Sequence, residues 1–171
     1  MWLYLIIALV ALQRLAEMRL AARNTRLLKA EGAIEIGAQH YPLFILLHTS
    51  WLLAILFTTP ENTLVNWWLL SAFGILQLGR VWVIATLGRF WTTRIISLPG
   101  APLIKKGPYR FFSHPNYLIV IGEIALLPLV FGNWPVAIIW SVLNALLLAW
   151  RIRVENRALK ERRKHSPSLS L

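Results

Sequence analysis

The chain of 171 residues contains no cysteine. A disulfide framework, a zinc-thiolate site and a cysteine nucleophile are therefore excluded. Acidic residues are scarce, with 7 Asp and Glu against 18 Lys and Arg, which gives a formal net charge of +11. In a soluble protein this excess would suggest a nucleic-acid partner. Here the distribution of the basic residues along the chain indicates a membrane instead, and no nucleic-acid partner is predicted.

A glycine-rich phosphate loop is also missing. Gly32 and Gly37, like Gly74 and Gly79, have part of the required spacing, but no Lys-Ser/Thr follows either pair. Without that continuation the backbone cradle for phosphates is incomplete. These glycines are more typical of helix breaking or helix packing, so a Rossmann-type enzyme and a kinase are excluded.

Long apolar runs are the main feature that is present. Hydrophobic residues make up 57% of the chain, and the mean hydropathy is +0.59. A spanning helix needs about 20 mostly apolar residues, and the nine Trp suit interfacial belts. The sequence predicts an all-α, polytopic integral membrane protein with about five transmembrane helices, within residues 2–22, 41–59, 64–87, 115–131 and 134–150.

The basic residues predict the orientation. Five lie between positions 14 and 29, five between 89 and 110, and seven from position 151 onward, while the connectors 58–63 and 132–133 carry none. With five spans, every basic segment falls on one side, which the positive-inside rule makes cytoplasmic. The N-terminus is therefore predicted to lie outside and the C-terminus in the cytoplasm.

The chain is predicted to form a single membrane domain, 1–171, with an N-terminal three-helix part, 1–87, and a part, 88–165, that contains a loop, a helix hairpin and a cytoplasmic helix. Segment 24–40 is expected to be a cytoplasmic helix and turn. Segment 88–113 is expected to be irregular because Pro99, Pro102 and Pro108 interrupt it. Pro115 suits the first turn of the fourth helix, and the Ser-rich end, 166–171, is expected to fray.

Two charged residues lie inside apolar runs. Arg80 and Glu123 are functional candidates by default, but a buried pair that joins the third helix to the fourth is favoured over direct catalysis. The inner half of the first helix, around Arg14, is also polar and should face protein or the membrane interface. His40 and His48 have no companions at ligand spacing, so no metal site is predicted.

The start of the fourth helix is a candidate binding site. Its free backbone N–H groups and positive dipole end favour a carboxylate or phosphate. The polar side chains at this point are Tyr109, Arg110, His114, Asn116 and Tyr117. A juxtamembrane basic loop that anchors to lipid headgroups is an equally open interpretation.

A second group of polar residues lies on the fifth helix. Asn144, Arg151 and Glu155 are spaced by seven and four, so they share one face. Because the hairpin through Gly132-Asn133 is tight, Arg151 and Glu155 should lie near the start of the fourth helix. A simple ion pair in a basic tail is the other interpretation of Glu155.

Three motifs together resemble the isoprenylcysteine carboxyl methyltransferase family: Gly107-Pro108-Tyr109-Arg110, His114-Pro115-Asn116-Tyr117 and Arg151-Ile152-Arg153-Val154-Glu155-Asn156-Arg157-Ala158-Leu159. The resemblance covers about residues 98–159. It implies an integral-membrane enzyme that uses S-adenosylmethionine without a Rossmann fold. It also implies a cofactor pocket lined by Lys106, Gly107, Tyr109, His114, Pro115, Asn116 and Tyr117, and closed by Glu155. The family usually has a second acidic residue after that glutamate, and this chain has Asn156.

Further motifs are similar to a small bacterial branch of the family: Arg23-Asn24, Gly32-Ala33-Ile34-Glu35, His40-Tyr41, Leu87-Gly88-Arg89-Phe90-Trp91 and Leu98-Pro99-Gly100-Ala101. Members of that branch are associated with type III polyketide synthases and O-methylate long-chain alkylpyrones. The resemblance implies a lipophilic enol that enters from the bilayer, a bacterial inner membrane and a functional link to such a synthase. Arg110 or Arg151 is expected to hold the acceptor oxygen, and Glu155 is the third catalytic candidate.

Two alternatives remain open at this point. The acceptor could instead be a prenylcysteine carboxylate or a phospholipid amine. The chain could also be a non-catalytic membrane protein whose basic face binds anionic lipid or a partner. In that case Tyr109, His114 and Glu155 would tolerate substitution.

Overall fold

The computed structural model describes residues 1–101 and 104–165, so Pro102 and the Ser-rich end, 166–171, lie outside the described residues. The five helices are α1 (Trp2–Ala30), α2 (Tyr41–Thr58), α3 (Trp67–Leu87), α4 (Pro115–Val130) and α5 (Trp134–His165). The strands are β1 (Ile34–Ile36) and β2 (Ile95–Ser97). Short 3-10 turns cover Ala38–His40, Gly88–Phe90 and Gly107–Arg110.

Three of the described helices are long and apolar enough to cross a membrane: α2, α3 with the turn that follows it, and α5 from Trp134 to Arg157. α4 is apolar but has only 16 residues, and α1 carries charged side chains in its second half. The predicted helical, membrane-spanning character is confirmed to this extent. The number of five spans and the orientation stay predictions.

The first helix is longer than the sequence analysis predicted. The end at about residue 22 and the separate helix within 24–40 are wrong, because α1 continues without a break to Ala30. No proline or glycine interrupts residues 2–30, so nothing in the backbone stops the helix earlier. It ends just before Gly32, which adopts a positive φ of 92°.

A small sheet corrects the all-α prediction. β1 and β2 pair in antiparallel fashion, with Ile34 opposite Ser97 and Ile36 opposite Ile95. The sheet ties the segment after α1 to the segment after α3, so the described part of 88–113 contains a strand and two 3-10 turns where an irregular loop was expected. We call the end of the helix bundle that carries this sheet and the start of α4 the loop end.

The α4–α5 hairpin is formed as expected. Pro115 is the first residue of α4, and Gly132, with φ 67°, allows the sharp turn into α5. The Asn133 side-chain amide donates hydrogen bonds to the hydroxyls of Thr58 (2.8 Å) and Thr59 (3.0 Å), which ties the hairpin to the end of α2. The start of α4 and the second half of α5 therefore lie together at the loop end.

Four charged residues form a buried charge cluster between α1, α3 and α4: Arg14, Glu17, Arg80 and Glu123. Arg80 Nε donates to Glu123 Oε1 at 2.9 Å. Arg14 contacts both carboxylates, with 2.8 Å to Glu17 and 2.8 Å to Glu123. The expected Arg80–Glu123 pair is present, and Arg14 and Glu17 of α1 face protein, which is one of the two environments predicted for this half of the helix. Two positive charges balance two negative ones, which is the condition for burying them.

Glu35 of β1 links three elements of the loop end. Its carboxylate pairs with Lys29 at the end of α1 and with Arg94 before β2. Burial acts to raise the pKa of this carboxyl, but the hydrogen bonds and charges of Lys29 and Arg94 outweigh burial and hold the pKa below its ordinary value.

The lowered pKa predicts a stabilisation that disappears in acid. Since the folded-state pKa lies below the unfolded one, the contribution is complete at neutral pH and is lost as the pH falls through the folded pKa. Glu35→Gln should lower stability by about 1 kcal/mol at pH 7, because both partners are partly exposed. Thermal unfolding in detergent should show this difference shrinking below about pH 4.5. A difference that stays constant down to pH 3 would contradict the assignment.

Candidate functional site

The start of α4 meets α5 through one hydroxyl group. Tyr117 Oη donates to Glu155 Oε2 at 2.6 Å and accepts from Arg151 Nε at 2.9 Å. The His114 ring stacks on the Tyr117 ring, with 5.2 Å between centroids, and its Nδ1 lies 3.7 Å from Glu155 Oε2. The hairpin thereby brings together two residues from each of its sides. Residues on opposite sides are 34 to 41 positions apart in sequence, and the tight turn predicted that they would meet.

Arg151 is held in a defined orientation. Its Nη2 donates to the backbone oxygen of Thr93 at 2.8 Å. Its guanidinium lies over the Phe44 ring of α2, at 5.1 Å from the centroid. Tyr117, Thr93 and Phe44 belong to three separate segments, and together they fix this side chain. Because the guanidinium is planar and rigid, its remaining N–H groups then point in defined directions, which the N–H groups of a freely rotating ammonium do not.

A cavity of about 290 Å³ lies at the loop end. We call it the loop-end cavity. Its size is near the lower end of the roughly 300–1,000 Å³ range of small-molecule sites. Apolar side chains of its wall come from the segment around β2. Polar side chains come from the 107–110 turn, the residues just before α4, α4 itself and α5: Tyr109, Ser113, His114, Asn116, Tyr117, Arg151 and Glu155.

A second cavity, of about 460 Å³, extends between α1 and α2. We call it the apolar cavity, because its wall is mostly aliphatic and aromatic and includes Ile7, Leu15, Phe44, Ile45, Leu52 and Leu56. Five residues belong to the walls of both cavities, and we call them the shared wall: Trp91, Thr92, Asn116, Tyr117 and Arg151. A polar site and an apolar site therefore adjoin at the Tyr117–Arg151 hydrogen bond.

Tyr109 contributes a neutral hydroxyl to the loop-end cavity. Burial, together with the negative charge of Glu155, raises the pKa of Tyr109 to about 12. The phenol thus stays protonated at neutral pH and can donate a hydrogen bond to a ligand.

Several residues that the sequence analysis assigned to the site lie outside both cavity walls. Lys106 and Arg110 are exposed, and neither lines the loop-end or the apolar cavity. Pro115, the first residue of α4, is buried. Asn156, at the usual second acidic position, is exposed and lines neither cavity. Among the arginine candidates, only Arg151 lies in the shared wall.

Gly107 has a packing role. Its φ is +53°, and an added Cβ would lie 2.5 Å from Thr86 Oγ1. A side chain is therefore disfavoured both by the left-handed backbone and by the close approach to α3. This contact sets the position of the 107–110 turn, and hence of Tyr109, without placing Gly107 in a cavity wall.

The sequence analysis did not assign Trp91, Thr93 or Phe44 to the site. Trp91 is 3% exposed, and its Nε1–H has no hydrogen-bond partner among the described residues. Trp91 belongs to the walls of both cavities. The signal that could have found Trp91 is its place in the Leu87–Trp91 motif.

The side chains of the loop-end cavity fit S-adenosylmethionine. The loop-end cavity offers a carboxylate for hydroxyl or ammonium groups, hydroxyl and imidazole groups for a carboxylate, and apolar side chains for a base. In the part of the chain that the structure describes, no group of three or more His, Cys, Asp or Glu side chains could hold a metal ion.

Residues 67–161 match the model of the isoprenylcysteine carboxyl methyltransferase (ICMT) family. The chain belongs to the ICMT family. The matched range contains α3, α4, most of α5 and every residue of the shared wall, whereas the α1 and α2 residues of the apolar cavity lie outside it. Family membership and the three long apolar helices indicate an integral membrane protein with methyltransferase activity.

Two relatives cover almost the whole chain. An uncharacterized protein, YpbQ, of Bacillus subtilis (strain 168) is 42% identical over 165 residues, which cover 92% of this chain and 96% of YpbQ. An uncharacterized protein of Haemophilus influenzae is 26% identical over 151 residues, which cover 85% of this chain and 88% of that protein. No solved structure matches the chain. The similarity therefore includes α1 and α2, which lie outside the family match.

Proposed function

We propose that this ICMT-family protein is an S-adenosylmethionine-dependent O-methyltransferase whose acceptor is a lipophilic enol, such as a long-chain alkylpyrone. The observation that carries the proposal is the shared wall. A polar cavity at the loop end and an apolar cavity between α1 and α2 adjoin at Tyr117 and Arg151. A hydrophilic cofactor and a hydrophobic acceptor can thus meet while each occupies a cavity of matching polarity.

The loop-end cavity would hold the cofactor. Glu155 is suited to the ribose hydroxyls or to the cationic end, because a carboxylate forms strong charge-assisted hydrogen bonds. His114 and the positive dipole end of α4 are suited to the methionine carboxylate, and Tyr109 adds a neutral donor. When bound, S-adenosylmethionine supplies a methyl group on a positively charged sulfur.

Arg151 would orient the acceptor. An enol conjugated with a carbonyl is acidic enough to be ionised near pH 7, so the site needs no strong general base. Arg151 can hold the resulting oxyanion, since its guanidinium is fixed by Tyr117 and the Thr93 carbonyl. Holding two reactants in a defined orientation can supply roughly 7–11 kcal/mol of the barrier reduction. We favour Arg151 over Arg110 because Arg110 lies outside both cavities.

The location of the cavities supports entry from two directions. The apolar cavity lies between helices, so the tail of the acceptor would enter sideways from the bilayer, and the cofactor would enter at the loop end. We place the loop end in the cytoplasm of a bacterial inner membrane, where the excess of basic residues favours it. A functional link to a type III polyketide synthase, which would supply the enol, is part of this proposal.

Methyl transfer by the purified protein tests the proposal. The protein in detergent is given S-adenosylmethionine labelled in the methyl group, with a long-chain alkylpyrone and a farnesylated cysteine analogue in separate reactions. We expect labelled product from the alkylpyrone. Label only in the farnesylated analogue would move the acceptor to prenylcysteine, and label in neither would contradict the proposed function.

Arg151→Lys should separate catalysis from cofactor binding. A lysine keeps the positive charge, but its single ammonium group cannot donate to both the Tyr117 hydroxyl and the Thr93 carbonyl in the geometry of the guanidinium. A displacement of about 1 Å can cost roughly 100-fold in rate, so we expect kcat to fall by about that factor. The Kd for the cofactor should change by less than about threefold, since Glu155 and His114 remain.

Arg153→Lys is the matched control, because Arg153 is exposed on the same helix. Its kcat should equal that of the unsubstituted protein. A wild-type kcat for Arg151→Lys, or an equal loss in both variants, would show that Arg151 does not orient the acceptor.

A further inference from the structure

The 107–110 turn carries side chains that the proposed transfer does not use. Tyr109 of this turn belongs to the wall of the loop-end cavity, whereas Arg110 is exposed and lines neither cavity. Phe111 and Phe112 follow directly, and they are 69% and 54% exposed. Two large apolar rings beside a basic side chain therefore lie on the surface next to the cofactor cavity.

The turn holds the two phenylalanines in place. The backbone N–H groups of Phe111 and Phe112 both donate to the backbone oxygen of Pro108, at 3.1 Å each. Pro108 itself is buried. Because the backbone of both residues is tied to a buried residue, the exposed position of the rings is a fixed feature of the fold.

A contact with α3 places the turn at the side of the helix bundle. A Cβ added to Gly107 would lie 2.5 Å from Thr86 Oγ1 and 3.2 Å from Trp82 Nε1. Both side chains belong to the last two turns of α3, which is long and apolar enough to cross a membrane, and Trp82 is 52% exposed. An exposed tryptophan near the end of a spanning helix is typical of the headgroup level. The turn and the two phenylalanines should lie at that level.

The charge around the turn is positive and uncompensated. Residues 62–122 contain no Asp or Glu. Three basic residues of this stretch pair with carboxylates from other segments: Arg80, Arg89 and Arg94. Three others are exposed and have no carboxylate partner among the residues that the structure describes: Lys105, Lys106 and Arg110. We call these three, together with Phe111 and Phe112, the aromatic-basic patch.

We propose that the aromatic-basic patch binds an anionic phospholipid of the leaflet at the loop end. The three basic side chains contact the phosphate, and the two phenylalanines insert beside the upper part of the acyl chains, which combines the two attractions that hold peripheral segments on anionic bilayers. This inference goes beyond the proposed function and does not depend on it. Binding of the cofactor and binding of a lipid headgroup then belong to different side chains of the same segment.

Two lipids with the same acyl chains test the patch. Phosphatidylglycerol and phosphatidylcholine are titrated against the purified protein in a neutral detergent, and bound lipid is counted by native mass spectrometry. We expect phosphatidylglycerol to bind at least about tenfold more tightly, since each basic residue near an anionic surface contributes about fivefold. In the triple variant Lys105→Gln, Lys106→Gln and Arg110→Gln, the two affinities should agree within about twofold.

The matched control removes the same charge from another exposed surface, the second half of α1, with Arg19→Gln, Arg23→Gln and Arg26→Gln. This variant should keep the preference for phosphatidylglycerol. An equal loss of preference in both triple variants would show that only the net charge matters, and it would overturn the proposal. Equal binding of the two lipids to the unsubstituted protein would overturn it as well.

Two further measurements separate a lipid site from a site for free anions. Phe111→Ser with Phe112→Ser should weaken both lipids by about tenfold, because the acyl chains lose an apolar contact. Glycerol 1-phosphate, added at the concentration of the lipid, should leave phosphatidylglycerol bound. Unchanged lipid binding in the double phenylalanine variant, or displacement by glycerol 1-phosphate, would contradict insertion of the patch into the bilayer.

Discussion

Glu155→Ala should weaken cofactor binding severely while the protein remains folded. Glu155 is the carboxylate of the loop-end cavity, and it accepts the Tyr117 hydroxyl at 2.6 Å. Its removal deletes a charged partner of the cofactor and releases Tyr117 as well. A hydrogen bond to a charged group contributes about 1.5–3 kcal/mol, so we expect the Kd of S-adenosylmethionine to rise about 100-fold, measured by equilibrium binding in detergent.

Glu31→Ala is the matched control for that experiment. Glu31 is exposed at the loop end and pairs with Arg89, so its loss changes the local charge equally but leaves both cavities intact. Cofactor binding should be unchanged in this variant. An unchanged Kd in folded Glu155→Ala would refute the assignment of the loop-end cavity to the cofactor.

Glu123→Gln should cause the largest loss of stability. Glu123 is 1% exposed and bridges Arg80 and Arg14. Neutralising it leaves two buried guanidinium groups with Glu17 as their remaining carboxylate partner in the cluster. Removing one partner of a buried pair costs about 3–5 kcal/mol, which thermal unfolding in detergent would register as a large drop in Tm.

A double substitution separates charge imbalance from lost packing. Arg80→Leu with Glu123→Leu removes one charge of each sign, and Arg14 and Glu17 still balance. We expect this variant to be more stable than Glu123→Gln, because apolar replacement of a whole ion pair is often neutral or better. Glu61→Gln, an exposed glutamate beyond α2, is the control. A double variant less stable than the single one would indicate that the hydrogen bonds of the cluster matter more than its charge balance.

The sequence was sufficient to predict how the hairpin assembles the polar site. The two-residue connector Gly132-Asn133 determines which ends of α4 and α5 meet, and the spacing of four places Arg151 and Glu155 on one face. The contacts of both residues with Tyr117 follow from those two facts. The Arg80–Glu123 pair was predictable for a related reason, since unpaired charges in apolar helices are costly.

Other parts depend on tertiary packing that no local pattern records. β1 and β2 have three residues each, too few for an alternating pattern to be recognised. Phe44 and Trp91 reach the site from segments that are far from the motifs in sequence. His48 was considered only as a metal ligand, and the cavity wall to which it belongs forms only when α1 and α2 pack together.

Ultraviolet cross-linking of S-adenosylmethionine labelled in the methyl group, followed by peptide mapping, tests most directly whether the cofactor occupies the loop-end cavity beside the shared wall. We predict label in peptides that contain residues 104–117 or 151–157, and its loss when excess S-adenosylhomocysteine competes. Label confined to residues 2–30 or 41–58, or label that S-adenosylhomocysteine does not displace, would contradict the arrangement of the two cavities on which the account depends.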